Sequence, residues 1–474
     1  MPDFSDDVKL SFLQWLASED QTRQDNYRAY REYYDGDHDT VLTTKQRQYL
    51  QAKTGQEFNA NFCPIVVDTL AEKLQVRGFN AKGQEDIFWQ WWEFNGMDGE
   101  QGQTHLAAVR DGDAYVMVEW DNEANMPVFS FEMACCDGEG AKVHYSADRR
   151  GQYDFASKRW RVNQGPEAGY VRRLNLYYPD RIEKYVSNSE AGEGEWRKYT
   201  DETDARWPIP WLHADGTPLG VNWSHFCNKK QGYNYGTSEL KDVIPQQVAL
   251  NKAVIDLLAA GATTAFRIFV ALGFNPTGIE ITPGSWIYNP QPATGPDAGS
   301  ISHIPGEDLS PLIDLKNSFA IEIARISRTP LSAFQVTGAV ASENTLKQQE
   351  SGLVSKANNR AVYFGNSWER LMRISRRLAN TFGTGYNMDE SVTISTLWAP
   401  TQTRDETEEL DRAAKKQNLG IPQETIWAEI GYSQEQIAEM KSIKEAERKA
   451  EMDAMPDDTR AIAAAAQRIA SRGA

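Results

Sequence analysis

Hydrophobic positions recur at helical spacing over residues 3–35, where Leu10, Leu13 and Leu16 are followed by Tyr27, Tyr30 and Tyr34. The segment 36–40 breaks that pattern. A second helix is predicted over 59–74: Pro64 suits its first turn, and Ile65, Val66, Thr69, Leu70 and Leu74 share one face. Residues 76–79 read as a short strand, 86–95 as an aromatic helix carrying Phe88, Trp89, Trp91, Trp92 and Phe94, and 102–110 as a further helix. From Asp113 the period falls to two. Segments 114–120, 128–133, 142–146, 171–177 and 181–186 read as strands of an antiparallel sheet, with turn or loop clusters at 121–125 and 188–194. The Pro- and Trp-rich stretch 207–218 reads as an irregular crossing. The pattern is that of an α+β chain.

The stretch 237–345 is the most informative. A long helix is expected from Thr237 to about Ala265, with its regular part starting near Asp242 because Pro245 sits within the first turns. Val248, Leu250, Val254, Ile255, Leu257 and Leu258 give it a broad apolar surface. At 1.5 Å per residue it spans roughly 35–40 Å. A Pro/Gly-rich segment at 267–306 follows, with β-like runs at 267–272, 279–281 and 285–288. A return helix runs over 309–328, with Ser310 as N-cap and Pro311 at the first helical position; Thr329-Pro330 ends it. Two helices that bracket a small β module make a protruding hairpin, which points to a built assembly and away from an enzyme pocket. The loop 329–345 is nearly uncharged, with Glu343 its one charged residue. A plain surface loop fits it; so does a loop lining a passage, where strong phosphate contacts would hold DNA in place. Ser342 then caps a very long helix through about Phe382. A strand at 392–398 and helices at 404–418, 422–431 and 433–451 follow, and the alanine-rich tail lacks large core residues.

The 474 residues suffice for two or three domains. A formal charge of −17 excludes a uniformly basic nucleic-acid glove, since phosphate affinity comes from clustered Lys and Arg. The four cysteines, Cys63, Cys135, Cys136 and Cys227, include no CxxC pair, so reduced thiols are expected. The N-terminus lacks a basic region followed by an apolar run, and no run of about 18 apolar residues occurs, so neither a signal peptide nor a membrane span is expected.

Catalytic signatures are missing. There is no GxxxxGK[ST], HExxH or GxSxG. The six histidines (38, 105, 144, 213, 225, 303) are scattered, and His225 with Cys227 alone is a poor metal pair; structural or surface histidines are expected. Asp35, Asp37 and Asp39 start like a calcium loop, but Thr40 and Gln46 stand where Gly and Glu are needed, so a solvated loop is favoured. The Trp89/Trp91/Trp92 cluster reads as core packing, not base stacking, since no Lys or Arg lies among its residues. Arg370, Arg373, Arg376 and Arg377 recur on one helix and leave open a DNA-facing strip or a solvated or subunit-pairing face.

Five stretches carry a resemblance. They are YYDGDH (33–38), NFCPIVVDTLAEKLQVRGF (61–79), RDGDAYVMV (110–118), GTSELKDVIPQQVALNKAVID (236–256) and SENTLKQQESGLVSKANNRAVYFGNSWERLMRISRRL (342–378). In order and spacing the chain resembles bacteriophage portal proteins, the head-tail connectors of tailed phages, in particular those of phages of Gram-positive hosts. The resemblance covers most of the chain.

That resemblance implies a ring, usually of twelve subunits, at one capsid vertex of the virion, assembled in the host cytoplasm. Double-stranded DNA passes non-specifically through its channel. Implied partners are the terminase large subunit, head-completion and adaptor proteins, and major capsid and scaffolding proteins, with no cofactor, metal or membrane. The family fold has a wing, a two-helix stem, a small α/β clip and a crown. On this chain the wing would be 1–235 and 346–400, the stem helices 236–266 and 308–328, the clip 267–307, the tunnel loop 329–345 and the crown 401–474. Gln335, Val336, Thr337, Gly338 and Ala339 would line the channel. Val254, Leu257, Leu258, Ile313 and Phe319 would make stem and subunit contacts, and Asn275, Pro276 and Trp286 would dock partners at the clip. Portals do no catalysis. Two other readings stay open: a head-tail adaptor or minor head protein, and a metal-dependent DNA-processing enzyme using Asp111 and Asp113, or Asp35 to Asp39.

Overall fold

In a computed structural model, residues 11–13 and 15–16 are helical and α1 spans Gln21–Asp35, within the helix predicted over 3–35. Described are residues 11–13, 15–16, 21–37, 60–163, 170–187, 196–200, 205–230, 232, 234–265, 268–272, 300–304, 308–334, 343–402, 406–430, 432 and 434–454. Gly36 follows α1 with φ +82°, so the break expected there is a left-handed turn. The chain continues through α2 (Cys63–Ala71), β1 (Val76–Asn80), α3 (Glu85–Phe94) and α4 (Met97–Asp111). Strands β2 (Asp113–Asp121), β3 (Met126–Met133), β4 (Gly140–Tyr145), β5 (Tyr153–Asn163), β6 (Tyr170–Tyr177), β7 (Arg181–Ser187), β8 (Trp196–Lys198), β9 (Ile209–Pro210) and β10 (Trp223–Cys227) come next. They are followed by α5 (Ile244–Ala265), β11 (Ile268–Leu272), β12 (Ser300–Ile304) and α6 (Ser310–Ser327). A short 3-10 turn (Leu331–Ala333), α7 (Glu343–Phe382), β13 (Ser395–Trp398), α8 (Glu406–Asn418), α9 (Gln423–Ile430) and α10 (Gln434–Ala454) complete the order.

The strands are not one sheet. One sheet has the order β10-β2-β3, and a second β4-β5-β6-β7-β8 with β9 also on β7; β1 pairs β13 and β11 pairs β12, all antiparallel. The chain leaves the first sheet for the second through a tight reversal at Asp137, Gly138 and Gly140, all at positive φ. A Cβ at Gly140 would lie 2.6 Å from the Met133 carbonyl oxygen, so the turn needs glycine there. Strands β5, β8, β9, β10 and β12 escaped the sequence reading. In β5 the cations Lys158, Arg159 and Arg161 interrupt the apolar alternation, although Arg159 is itself buried. In β10 all five residues are buried, so no alternation exists to be read.

Packing clusters the chain into two compact units, Met1–Arg31, Val67–Glu239 and Thr337–Ala474 in one, Glu32–Val66 and Leu240–Val336 in the other. The first unit's core explains the aromatic helix. Phe88, Trp91 and Trp92 of α3 are fully buried, and Trp92 meets Trp368 of α7 edge-on at 4.9 Å. Each such burial stabilises by about 1.5–3 kcal/mol. His105 is sealed in the same core, its Nδ1 2.9 Å from the Leu74 carbonyl oxygen and its Nε2 accepting from Trp368 Nε1 at 3.0 Å. Burial pushes His105 down to about 4, so it stays neutral and structural. Helix α7 has 40 residues, about 60 Å at 1.5 Å per residue. Its buried stripe runs through Leu353, Ala357, Phe364, Trp368, Leu371, Leu378 and Ala379. Among the described residues no helix is long and apolar enough to cross a membrane.

Candidate functional site

The second unit is built on the pair α5 and α6. Regular helix begins at Ile244, close to the expected start, and places Pro245 in the first turn, where no amide donor is needed. Leu250, Ala253 and Ile255 of α5 and Ile323 and Ala324 of α6 are buried. Two amides one turn apart hold the extended residues beside α2. Gln247 Oε1 accepts from Phe62 N at 3.0 Å, Asn251 Oδ1 accepts from Ala60 N at 3.2 Å, and Gln247 Nε2 donates to Asn251 Oδ1 at 2.9 Å. The capping expected of Ser310 belongs to Asp308. Ser310 is already helical, and its backbone N and hydroxyl both donate to Asp308 Oδ1, at 2.9 and 2.7 Å.

The helix surfaces are unevenly covered. Of the residues expected to make stem contacts, Val254, Leu257 and Phe319 are half-buried, while Leu258 and Ile313 are 40% and 43% exposed. Val248, Leu315, Ile321 and Ile326 are exposed as well. Gln335, Val336, Thr337, Gly338 and Ala339 of the expected channel loop, and Asn275, Pro276 and Trp286 of the expected clip, lie outside the described residues.

Before the chain passes into α5, its strap is fixed inside the first unit by two buried carboxylates. Asp113 opens β2 with no exposed surface. Its Oδ1 accepts from His225 Nε2 at 2.8 Å and from the backbone N of Gly236 at 2.6 Å; its Oδ2 accepts from Tyr27 Oη at 2.6 Å and Arg23 Nη1 at 3.2 Å. Burial alone would raise its pKa, but the His225, Tyr27 and Gly236 hydrogen bonds hold it below the ordinary carboxylate range. Gly236 is required by packing: a Cβ there would stand 2.0 Å from the Gly112 carbonyl oxygen. Glu239 is the second anchor. Its Oε1 accepts from Arg360 Nη2 at 2.9 Å and Asn228 Nδ2 at 3.2 Å, and its Oε2 lies 3.3 Å from both Lys356 Nζ and Lys229 Nζ. Burial opposes ionisation, but the three cations overcome it and hold Glu239 down to about 2. Lys356 is lowered as well, by its own burial, partly offset by Glu239. Backbone bonds finish the strap, Thr237 N to Asn228 O at 2.9 Å and Glu239 N to Val109 O at 3.1 Å.

Neither anchor was singled out as such by its sequence. The signal for Asp113 is an acid opening a strand whose next five residues are buried and apolar; for Glu239 it is Lys356 and Arg360, cations four apart on the buried stripe of α7.

The same geometry bears on the enzyme alternative. Asp111 Oδ2 accepts from Arg31 Nη2 at 2.7 Å and its Oδ1 from Arg110 Nε at 2.8 Å, so it is committed to guanidinium groups. Asp113, His225 and Cys227 have ligand atoms within 4.8 Å of one another. However, both Asp113 oxygens are engaged, His225 Nδ1 accepts from Tyr145 Oη at 2.7 Å, and burial pushes the Cys227 thiol up to about 12. The cluster is a satisfied hydrogen-bond hub. The arginine row of α7 is likewise built in, contrary to the readings left open for it. Arg376 is buried on Gln84 Oε1 and the Val392 and Glu390 carbonyls, Arg377 donates to Leu219 O, and Arg370 donates to Trp223 O and covers Tyr153; Arg373 alone is exposed.

A family model described as phage portal protein, SPP1 Gp6-like, matches residues 13–452. The chain belongs to the phage portal proteins. The portal protein of Mycobacterium phage D29 is 24% identical over 461 residues, covering 91% of this chain and 87% of that protein. The portal protein of Mycobacterium phage L5 is 23% identical over 430 residues, covering 86% and 82%. The role is thus that of a phage portal, a virion component whose family is structural and works as an oligomeric ring with partners in the phage head.

Proposed function

We propose that twelve copies stand in a ring at one capsid vertex and leave an axial channel for double-stranded DNA during packaging and ejection. In this reading 1–235 and 346–400 form the wing, 236–266 and 308–328 the stem, 267–307 the clip, 329–345 the tunnel loop and 401–474 the crown. The clip, through Asn275, Pro276 and Trp286, meets the terminase large subunit and later the head-completion adaptors; the wing and crown meet capsid and scaffolding proteins. Gln335 to Ala339 line the passage as small, uncharged residues that do not grip phosphate, and the net charge of −17 keeps a polyanion moving.

The observation that supports this most is the apolar surface left open on the helix pair: Val248 and Leu258 on α5, and Ile313, Leu315, Ile321 and Ile326 on α6. Such a patch calls for a lateral neighbour, and a closed ring supplies one to every copy. Covering each side chain contributes about 1 kcal/mol. Sedimentation of Leu258→Asp and Ile313→Asp tests it. Both side chains are exposed, so the variants are expected to keep the wild-type circular dichroism and sediment as monomers. Rings of unchanged size in both would refute the assigned face. Leu250→Asp, at a fully buried position, is the control expected not to fold.

A further inference from the structure

Under α1 the first unit holds a small cavity of about 20 Å³, lined from α1, β2, β4, β5 and the strap. That is room for one water or one monatomic ion, and for nothing organic. Three cations line it, Arg23, Lys142 and Arg159, and among the described residues no carboxylate does. Arg23 donates to Asp113 Oδ2 at 3.2 Å, behind the lining, and lies 4.9 Å from the Tyr235 ring centre. Lys142 stands 5.3 Å from the same ring centre, and buried Arg159 donates to the Leu16 carbonyl oxygen. Lys142 and Arg159 have further partners of their own and act on the cavity through their field.

Two neighbours record that field. His144 is held well below its ordinary value by burial and then by Lys142 and Arg159. Burial raises the Cys135 thiol, and Arg159 and Lys142 lead the groups that oppose the rise.

Tyr115 supplies a donor without an acceptor. It is 1% exposed and lines the cavity, and its ring stacks on His225 at 4.7 Å. Its hydroxyl has no hydrogen-bond partner among the described residues. Burial and then Asp113 raise the phenol well above its ordinary range, so the O–H stays a donor. Leaving a buried donor unmatched is costly. A water would accept its proton but leave the cationic field uncompensated; a monatomic anion answers both. We propose that this cavity binds a chloride ion, which accepts from the Tyr115 hydroxyl and is held by Arg23, Lys142 and Arg159.

The test is thermal unfolding of the full-length protein beside Tyr115→Phe, in mixtures of sodium chloride and sodium gluconate at a constant total of about 1 M. Gluconate is too large to enter, and the difference between the two proteins removes salt effects common to both. For a one-atom ligand Kd is expected on the order of 100 mM. Full chloride should then favour the folded wild type about tenfold. Tyr115→Phe breaks no hydrogen bond to the described residues, so the two midpoints should agree within about 1 °C in gluconate. Their difference should grow with chloride, saturably, to about 2–4 °C. Lys142→Gln, at a half-buried position, should show about half that chloride-dependent difference and serves if Tyr115→Phe misfolds. A difference that is constant along the mixture would make these side chains merely structural and overturn the proposal. Absence of any difference in both variants would leave water as the occupant and overturn it too.

Discussion

Replacing Glu239 by Gln removes one negative charge from a site where Lys356, Arg360 and Lys229 all point at it. The wild-type carboxyl is held from an ordinary 4.5 down to about 2. At about 1.4 kcal/mol per tenfold change in proton affinity, the ionised form contributes about 3 kcal/mol to the folded state at neutral pH. Because the folded pKa is the lower one, that contribution is full above 4.5 and fades as pH falls towards 2. Glu239→Gln is therefore expected to lower local stability by about 3 kcal/mol at pH 7, and by progressively less below 4.5. Hydrogen exchange at the amides of Thr237 and Glu239 reads this directly, since both are donors in the strap. Protection should fall by roughly a hundredfold at pH 7. Adding Lys356→Met should recover part of it, because one stranded cation is gone. Unchanged protection, or a loss that stays constant from pH 7 to pH 3, would refute the reasoning.

Asp113→Asn should destabilise by about 2–4 kcal/mol, because an amide NH2 then meets donors that now converge on a carboxylate; thermal unfolding checks it, and an unshifted midpoint would contradict the hub. The four cysteines are free and buried, and burial raises all of them, Cys63, Cys136 and Cys227 to about 12. None should react with an aromatic disulfide reagent at pH 8 until the protein is denatured; rapid native modification of any one would show that its site opens. Shortening 335–341 should leave ring assembly intact while impairing DNA packaging or retention in a complementation assay. Loss of the ring itself would make that loop structural.

Where helices bury one stripe, they were readable. The aromatic run of α3, the 40-residue α7 and the two helices α5 and α6 all carry an apolar period with a proline or a break at an end. Strands were readable mostly where one face is wet, although β2, buried over its first six residues, was read as well. Strand β10 is buried throughout, and β5 carries buried Arg159, so neither shows alternation. Division into two sheets was hidden because it rests on a tight turn at Gly140, which composition does not reveal. The polar anchors were hidden for a different reason. Asp113 meets Gly236 and His225, and Glu239 meets Lys356 and Arg360, across more than a hundred residues of chain. The missing catalytic motifs agree with the family, but the arginines of α7 show how charge on a helix misleads: three of the four serve carbonyl groups of their own fold.

The central claim is that copies of this chain enclose a passage. Electron microscopy of the purified full-length protein, viewed end-on, tests it most directly. A closed ring with an axial opening wide enough for duplex DNA is the expected image. Isolated monomers at high concentration, or a closed disc with no axial opening, would contradict it.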